Sequence, residues 1–115
     1  MTTYQTIELR IKAVTEQTAK LAFMNKEELF NLIAEIVDIS DTLNNFIHDL
    51  DLQMAEAEAK AMAELKDYKA TASMANILVK QATSALRADK EWAGRQVDLL
   101  SEIRIAVLAA QRSNE

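Results

Sequence analysis

The chain has 115 residues, a formal net charge of −5, one Gly, no Pro and no Cys. Those absences remove the turn chemistry of β-hairpins, any disulfide framework, thiolate metal sites and a cysteine nucleophile. Half of the residues are hydrophobic but only 5% are aromatic, so alanine and aliphatic side chains supply the apolar surface. With the strong helix formers Ala, Leu, Glu, Lys and Gln prominent, the expectation is an all-α chain of long elements. One domain over residues 1–115 suits this length. "MTTYQTIELRIK" is charged by residue 8 and carries no apolar core of a secretion signal, so none is expected. No run approaches the roughly 18 to 20 apolar residues of a membrane span. The expected location is therefore the cytoplasm, without a membrane partner.

The first predicted element is a helix over residues 3–22. Tyr4, Ile7, Ile11, Val14, Thr18 and Leu21 recur at steps of three and four, which is one helical face. Its end is marked by "MNKEEL". Asn25 is placed to cap the next helix, Glu28 to close a capping box, and Met24 to staple against Leu29.

The second helix is expected over residues 26–67. Leu29, Ile36, Leu43, Leu50 and Ala57 lie seven apart, with Leu32, Ile39 and Phe46 three residues on. Ile33, Ile47, Met54, Ala61 and Tyr68 follow the four-residue row. This heptad stripe is the pattern of helices packed side by side at a shallow angle. Its later half, "MAEAEAKAMAEL", narrows to alanine and buries little area. A break near "HDLD", residues 48–51, is an open alternative.

The third helix is expected over residues 71–112. Ala72, Val79, Leu86, Ala93, Leu100 and Val107 are seven apart. Leu78, Ala85, Trp92, Leu99 and Ala106 form one flank; Ala75, Ala82, Ile103 and Ala110 form the other, interrupted by Asp89 and Gln96. The reversal belongs near residues 67–72, where Asp67 or Thr71 could cap. The expected fold is a long antiparallel helical hairpin, coiled-coil-like, with a shorter N-terminal helix, completed as a three-helix or oligomeric bundle. Two helices of about 40 residues each span on the order of 60 Å, and the first helix can cover about half of their stripe. A second copy or a helical partner is the cheapest cover for the rest.

Few residues have the makings of a chemical site. His48 is the sole histidine, so the paired Glu-x-x-His motifs of carboxylate di-metal bundles are missing. Glu35 with Asp38, and Glu64 with Asp67, resemble the Mg²⁺-binding pairs of all-α nucleotide pyrophosphohydrolases. On one continuous helix the 29 residues between the pairs amount to roughly 43 Å. They could share an ion only if the chain reversed between them or a partner supplied one pair. No catalytic, cofactor-binding or metal-binding residue is assigned, no cofactor is expected, and the chain is read as a non-enzyme.

Charge is unevenly spread. Residues 26–67 hold 11 acidic and 3 basic side chains, the reverse of the excess expected in a general nucleic-acid binder. Asp49, Asp51, Glu56, Glu58, Glu64 and Asp67 could form a row imitating DNA phosphates, and an acidic inhibitor of a DNA-binding protein is one alternative. Lys60 and Lys66 dilute that row, and Glu56–Lys60 is ordinary i, i+4 surface pairing. Arg87, Lys90, Arg95 and Arg104 could serve DNA contacts, but they fall on more than one helix face.

Trp92 and Gly94, the only residues of their kinds, form a W-x-G pair that resembles the central motif of small secreted WXG-type helical hairpins. In that family the motif makes the mid-chain turn. Here it lies inside the stripe from Leu86 to Val107, and the tail "AVLAAQRSNE" lacks the family's export motif. Packing against a neighbouring backbone is the expected reason for Gly94. The stretch Glu56–Ser113 resembles small all-helical accessory proteins of tailed bacteriophages and prophages. The resemblance lies in the charged, alanine-rich "EAEAKAMAELKDYKATAS" followed by "DLLSEIRIAVLAAQRS", with Leu100, Ile103, Val107 and Arg112 at three- to five-residue steps. It implies an accessory factor, often associated with DNA metabolism, in a bacterial host cytoplasm.

The resulting expectation is a self-associating helical interaction protein with a protein partner. Its main seam is assigned to Leu86, Trp92, Leu99, Leu100 and Ile103. Asp89 is the polar seam residue that would set register and oligomer state, paired with a nearby arginine or lysine.

Overall fold

A computed structural model of the chain describes residues 3–66 and 72–113. It contains α1 (Thr3–Thr18), a 3₁₀ turn (Leu21–Phe23), α2 (Lys26–Lys66) and α3 (Ala72–Ser113). No strand occurs among the described residues. The long helices α2 and α3 pack against each other, with α1 as the shorter N-terminal helix. The expected caps at Asp67 and Thr71, and the seam position Tyr68, lie outside the described residues.

The first helix stops at Thr18, four residues before the expected end at residue 22. Two threonine hydroxyls bond to helix carbonyls near this end. Thr15 Oγ1 donates to the Ile11 carbonyl at 2.8 Å, and Thr18 Oγ1 donates to the Thr15 carbonyl at 2.6 Å. Such hydroxyls compete with the helical ladder. The chain then tightens, with Lys20 N donating to Gln17 O and Phe23 N donating to Lys20 O, both at 3.0 Å. Met24 is extended (φ −87°, ψ 139°), which ends the turn.

Helix α2 starts on the expected capping box. Glu28 N donates to Asn25 Oδ1 at 2.8 Å, and Asn25 N donates to Glu28 Oε1 at 3.3 Å. Two of the orphan amide groups of the first turn are satisfied in this way, with Glu27 and Glu28 adding negative charge beside the helix N-terminus. The helix then runs unbroken through His48–Asp51.

The chain divides into two compact units: Met1–Asn44 together with Arg95–Glu115, and Asn45–Gly94. In the first, three helices enclose a core of large aliphatics. Ile7, Ile11 and Val14 come from α1; Leu29, Leu32, Ile36, Ile39 and Leu43 from α2; Leu100, Ile103 and Val107 from α3. The expected seven-residue rows of α2 and α3 supply Leu29, Ile36, Leu43, Leu100 and Val107. Each fully buried side chain of this size is worth about 1.5–3 kcal/mol relative to exposure.

The second unit is a pair of helices. Its buried side chains are Leu50, Ala61, Leu65, Thr83 and Ala93, two of which are alanines. The Thr83 hydroxyl is buried at little cost because Oγ1 donates to the Val79 carbonyl at 2.9 Å. Asp51 of α2 and Lys90 of α3 pair across the two helices here, with Oδ1 and Nζ 2.7 Å apart. Farther along, Ala61 and Glu64 of α2 line one groove with Leu78, Gln81 and Ala82 of α3.

Candidate interaction surface

In the Asn45–Gly94 unit the buried row of α3 leans toward the four-residue flank. Thr83 is buried and Lys90 half-buried, whereas Leu78 and Ala85 on the opposite flank are exposed. Leu86 and Trp92 are half-buried. The same lean holds for the α3 segment of the other unit. There Val97 is half-buried, Leu100 and Ile103 are buried, and Leu99 is 38% exposed. Leu100 and Ile103 therefore sit in the intramolecular seam. Leu99 stands at the margin of that seam, which is closed by residues three and four positions after the seven-residue row rather than one before it.

Asp89 is half-buried and, among the described residues, makes no ion pair. The lysine next to it is committed elsewhere, to Asp51. The pairing expected of Asp89 with Arg87, Lys90, Arg95 or Arg104 is thus absent within the described chain. The Lys90–Asp51 pair also removes one basic residue from the proposed DNA track and one acidic residue from the phosphate-like row.

Gly94 corrects another expectation. A methyl group built at its Cα meets nothing within 4 Å, so no close neighbouring backbone within the chain requires glycine there.

In the three-helix unit, Arg10 joins α1 to α2. Its Nε donates to Glu35 Oε1 at 2.9 Å and its Nη2 reaches both Glu35 and Asp38. The hydrogen bond to Glu35, and then that to Asp38, raises the Arg10 pKa above the ordinary arginine value despite some desolvation. Glu35 and Asp38, one of the two candidate Mg²⁺-binding pairs, thus hold a guanidinium. The second pair cannot be compared, because Asp67 lies outside the described residues. Among the described residues no three His, Cys, Asp or Glu side chains form a group suited to a metal ion. His48 is exposed.

Apolar side chains left in water make up the most distinctive surface. In the three-helix unit Phe23 is 89% and Phe30 65% exposed, joined by Leu9, Val37 and Ile105. Phe30 and Val37 lie seven apart on α2, offset from the buried row, and Phe23 stands in the 3₁₀ turn before that helix. In the two-helix unit Leu52, Met62, Ile77 and Leu78 are exposed. Sequence reasoning missed these residues, although Phe30 and Val37 lie seven apart on a face of α2 separate from its buried row.

No helix among the described residues is long and apolar enough to cross a membrane. Compared with known proteins, the chain matches no family model, no curated sequence and no solved structure.

Proposed function

We propose that the chain is a non-enzymatic helical interaction protein that self-associates and presents a helical surface to a protein partner. The observation that carries this reading is the set of large apolar side chains standing in water outside the buried seam, led by Phe23, Phe30, Leu52 and Met62. A soluble monomer gains nothing from two phenylalanines held in water, whereas an interface does.

The resemblance of Glu56–Ser113 to phage and prophage accessory proteins supports an origin of that type and a place in a bacterial host cytoplasm. Trp92 is the proposed anchor of the association, since an indole contributes a large contact area at low entropic cost.

Solution mass across a concentration series tests the reading. The expected result is a weight-average mass that climbs above the monomer value, with Trp92→Ala shifting the rise to higher concentration. A mass fixed at the monomer value throughout overturns self-association.

A further inference from the structure

We propose that a second copy of the chain docks on the solvent side of α3 within the three-helix unit, antiparallel and centred on Ile105, so that Asp98 and Arg112 of one copy pair with Arg112 and Asp98 of the other. This inference rests on the self-association reading above and adds a second contact to it, since Trp92 falls on a different side of α3.

Ile105 is 69% exposed, the highest value of any large aliphatic among the described residues. It stands two residues from both Ile103 and Val107, which are buried, and two residues turn a helix by about 200°. It therefore points away from the core that those two close. Asp98 and Arg112 lie seven residues before it and seven after, and both are exposed. Seven residues fall about 20° short of two full turns, so the three side chains form one line along the helix. Ser101 and Ala109, four residues to either side of Ile105, are also exposed. They are small enough to let a second helix reach the usual axial separation of roughly 8–10 Å.

The line reads acid, aliphatic, base, with equal spacing on both sides of its centre, and that symmetry names the occupant. A twofold contact presents the same patch from both copies. Turned antiparallel about Ile105, it sets Ile105 on Ile105, Ser101 against Ala109, and an acid against a base at each end. Parallel and in register, it would set Asp98 against Asp98 and Arg112 against Arg112, which is unfavourable. Neither charge is used inside the chain: the ion pairs among the described residues are those of Arg10 and Lys90.

The neighbouring charges are compatible with this pairing. Arg95 and Arg104 lie about 80° and 100° around the helix from Ile105, off the contact. Glu102 borders the line at about 60°. The antiparallel pairing sets it roughly 6 Å along the axis from Arg112 of the second copy, against about 9 Å from that copy's Glu102 and about 15 Å from its Asp98. Its nearest charge across the contact is therefore the arginine.

Sedimentation equilibrium of the full chain at low salt tests the pairing. Asp98→Arg and Arg112→Asp, each alone, set like charges against one another at both ends of the line, and each is expected to weaken association about tenfold. The chain carrying both substitutions is expected to regain the affinity of the unaltered chain to within about threefold, because acid and base have exchanged places. Circular dichroism checks helicity. If a reversal lowers it, the neutral substitutions Asp98→Asn and Arg112→Gln are read in its place, each weakening association about threefold. An unaltered chain that stays monomeric at every concentration overturns this pairing together with the self-association reading. An unaltered chain that associates, but does so equally well with either reversal or fails to recover with both, overturns the pairing alone and leaves association to another face, such as the one that holds Trp92.

Discussion

Lys90 Nζ of α3 lies 2.7 Å from Asp51 Oδ1 of α2, both side chains being close to half exposed. This pair joins two helices whose shared core is small in that unit, where alanines stand at positions that hold leucine or isoleucine elsewhere. An exposed pair contributes about 0.2–1 kcal/mol and less in high salt. Lys90→Met, which keeps the aliphatic stem, is expected to cost no more than that in urea denaturation, with the difference shrinking in molar salt. A loss that persists undiminished in salt would mean that the lysine acts through packing instead.

Arg10 is a stronger tie. It is less exposed than Lys90 and engages two carboxylates from two of its nitrogens. Arg10→Met should destabilise the fold by about 1 kcal/mol, at the upper end for partly exposed pairs. Arg10→Lys should recover only part of it, since an ammonium cannot hold both acids in the guanidinium's fork geometry. The pH dependence follows from the raised pKa. A group whose folded pKa exceeds its unfolded value contributes fully below the unfolded value and loses the contribution as pH climbs through the folded one. From about pH 5 to 9, far below the arginine range, the guanidinium's own titration therefore adds no slope to stability. Urea melts of the native and Arg10→Met chains at several pH values check both statements.

Gly94 lies inside α3 with open space where a side chain would stand. Glycine within a helix is about 1 kcal/mol less favourable than alanine. Gly94→Ala is therefore expected to raise the stability of the isolated chain by roughly that amount, seen as a higher urea midpoint at unchanged slope. A destabilised variant would show that another backbone does approach Gly94 in the folded protein.

The heptad rows of Leu29–Leu50 and Leu86–Val107 made the hairpin legible because buried aliphatics leave a periodic trace that few alternatives imitate. The Asn25–Glu28 box was equally plain, since both partners of its hydrogen bonds are local in sequence. Less could be read of what depends on tertiary lean. Leu99 and Val97 are equally apolar, and only the direction in which α2 meets α3 decides that Val97 is drawn in while Leu99 is left at the margin. The Arg10–Glu35–Asp38 tie joins residues 25 and 28 apart, a separation that no local pattern records. Thr83 was overlooked for a different reason: its burial depends on a hydroxyl satisfied within its own helix, so polarity alone misplaces it.

The two units should also differ in how readily they open. Eleven large aliphatics close the core of the three-helix unit, whereas the two-helix unit relies on Leu50, Leu65, two alanines and a threonine. Local opening follows the amount of apolar contact that must be given up. Amide hydrogen exchange is therefore expected to be faster across residues 50–64 and 75–92 than across 30–43 and 98–108. Uniform protection along α2 would contradict this unequal distribution of stability.

Asp89 presents the sharpest choice between folding and assembly. It is half-buried on the flank that continues through Gln96 to the buried Ile103, and no cation among the described residues compensates it. Partial burial of an unpaired carboxylate is unfavourable, so Asp89→Leu should stabilise the chain, by about 1 kcal/mol if this position behaves like other half-buried seam sites. If Asp89 fixes register between copies, the same change relaxes it, and the weight-average mass in solution should then shift to a different or mixed assembly state. A more stable protein whose mass is unchanged at every concentration would confine Asp89 to the fold and remove it from assembly.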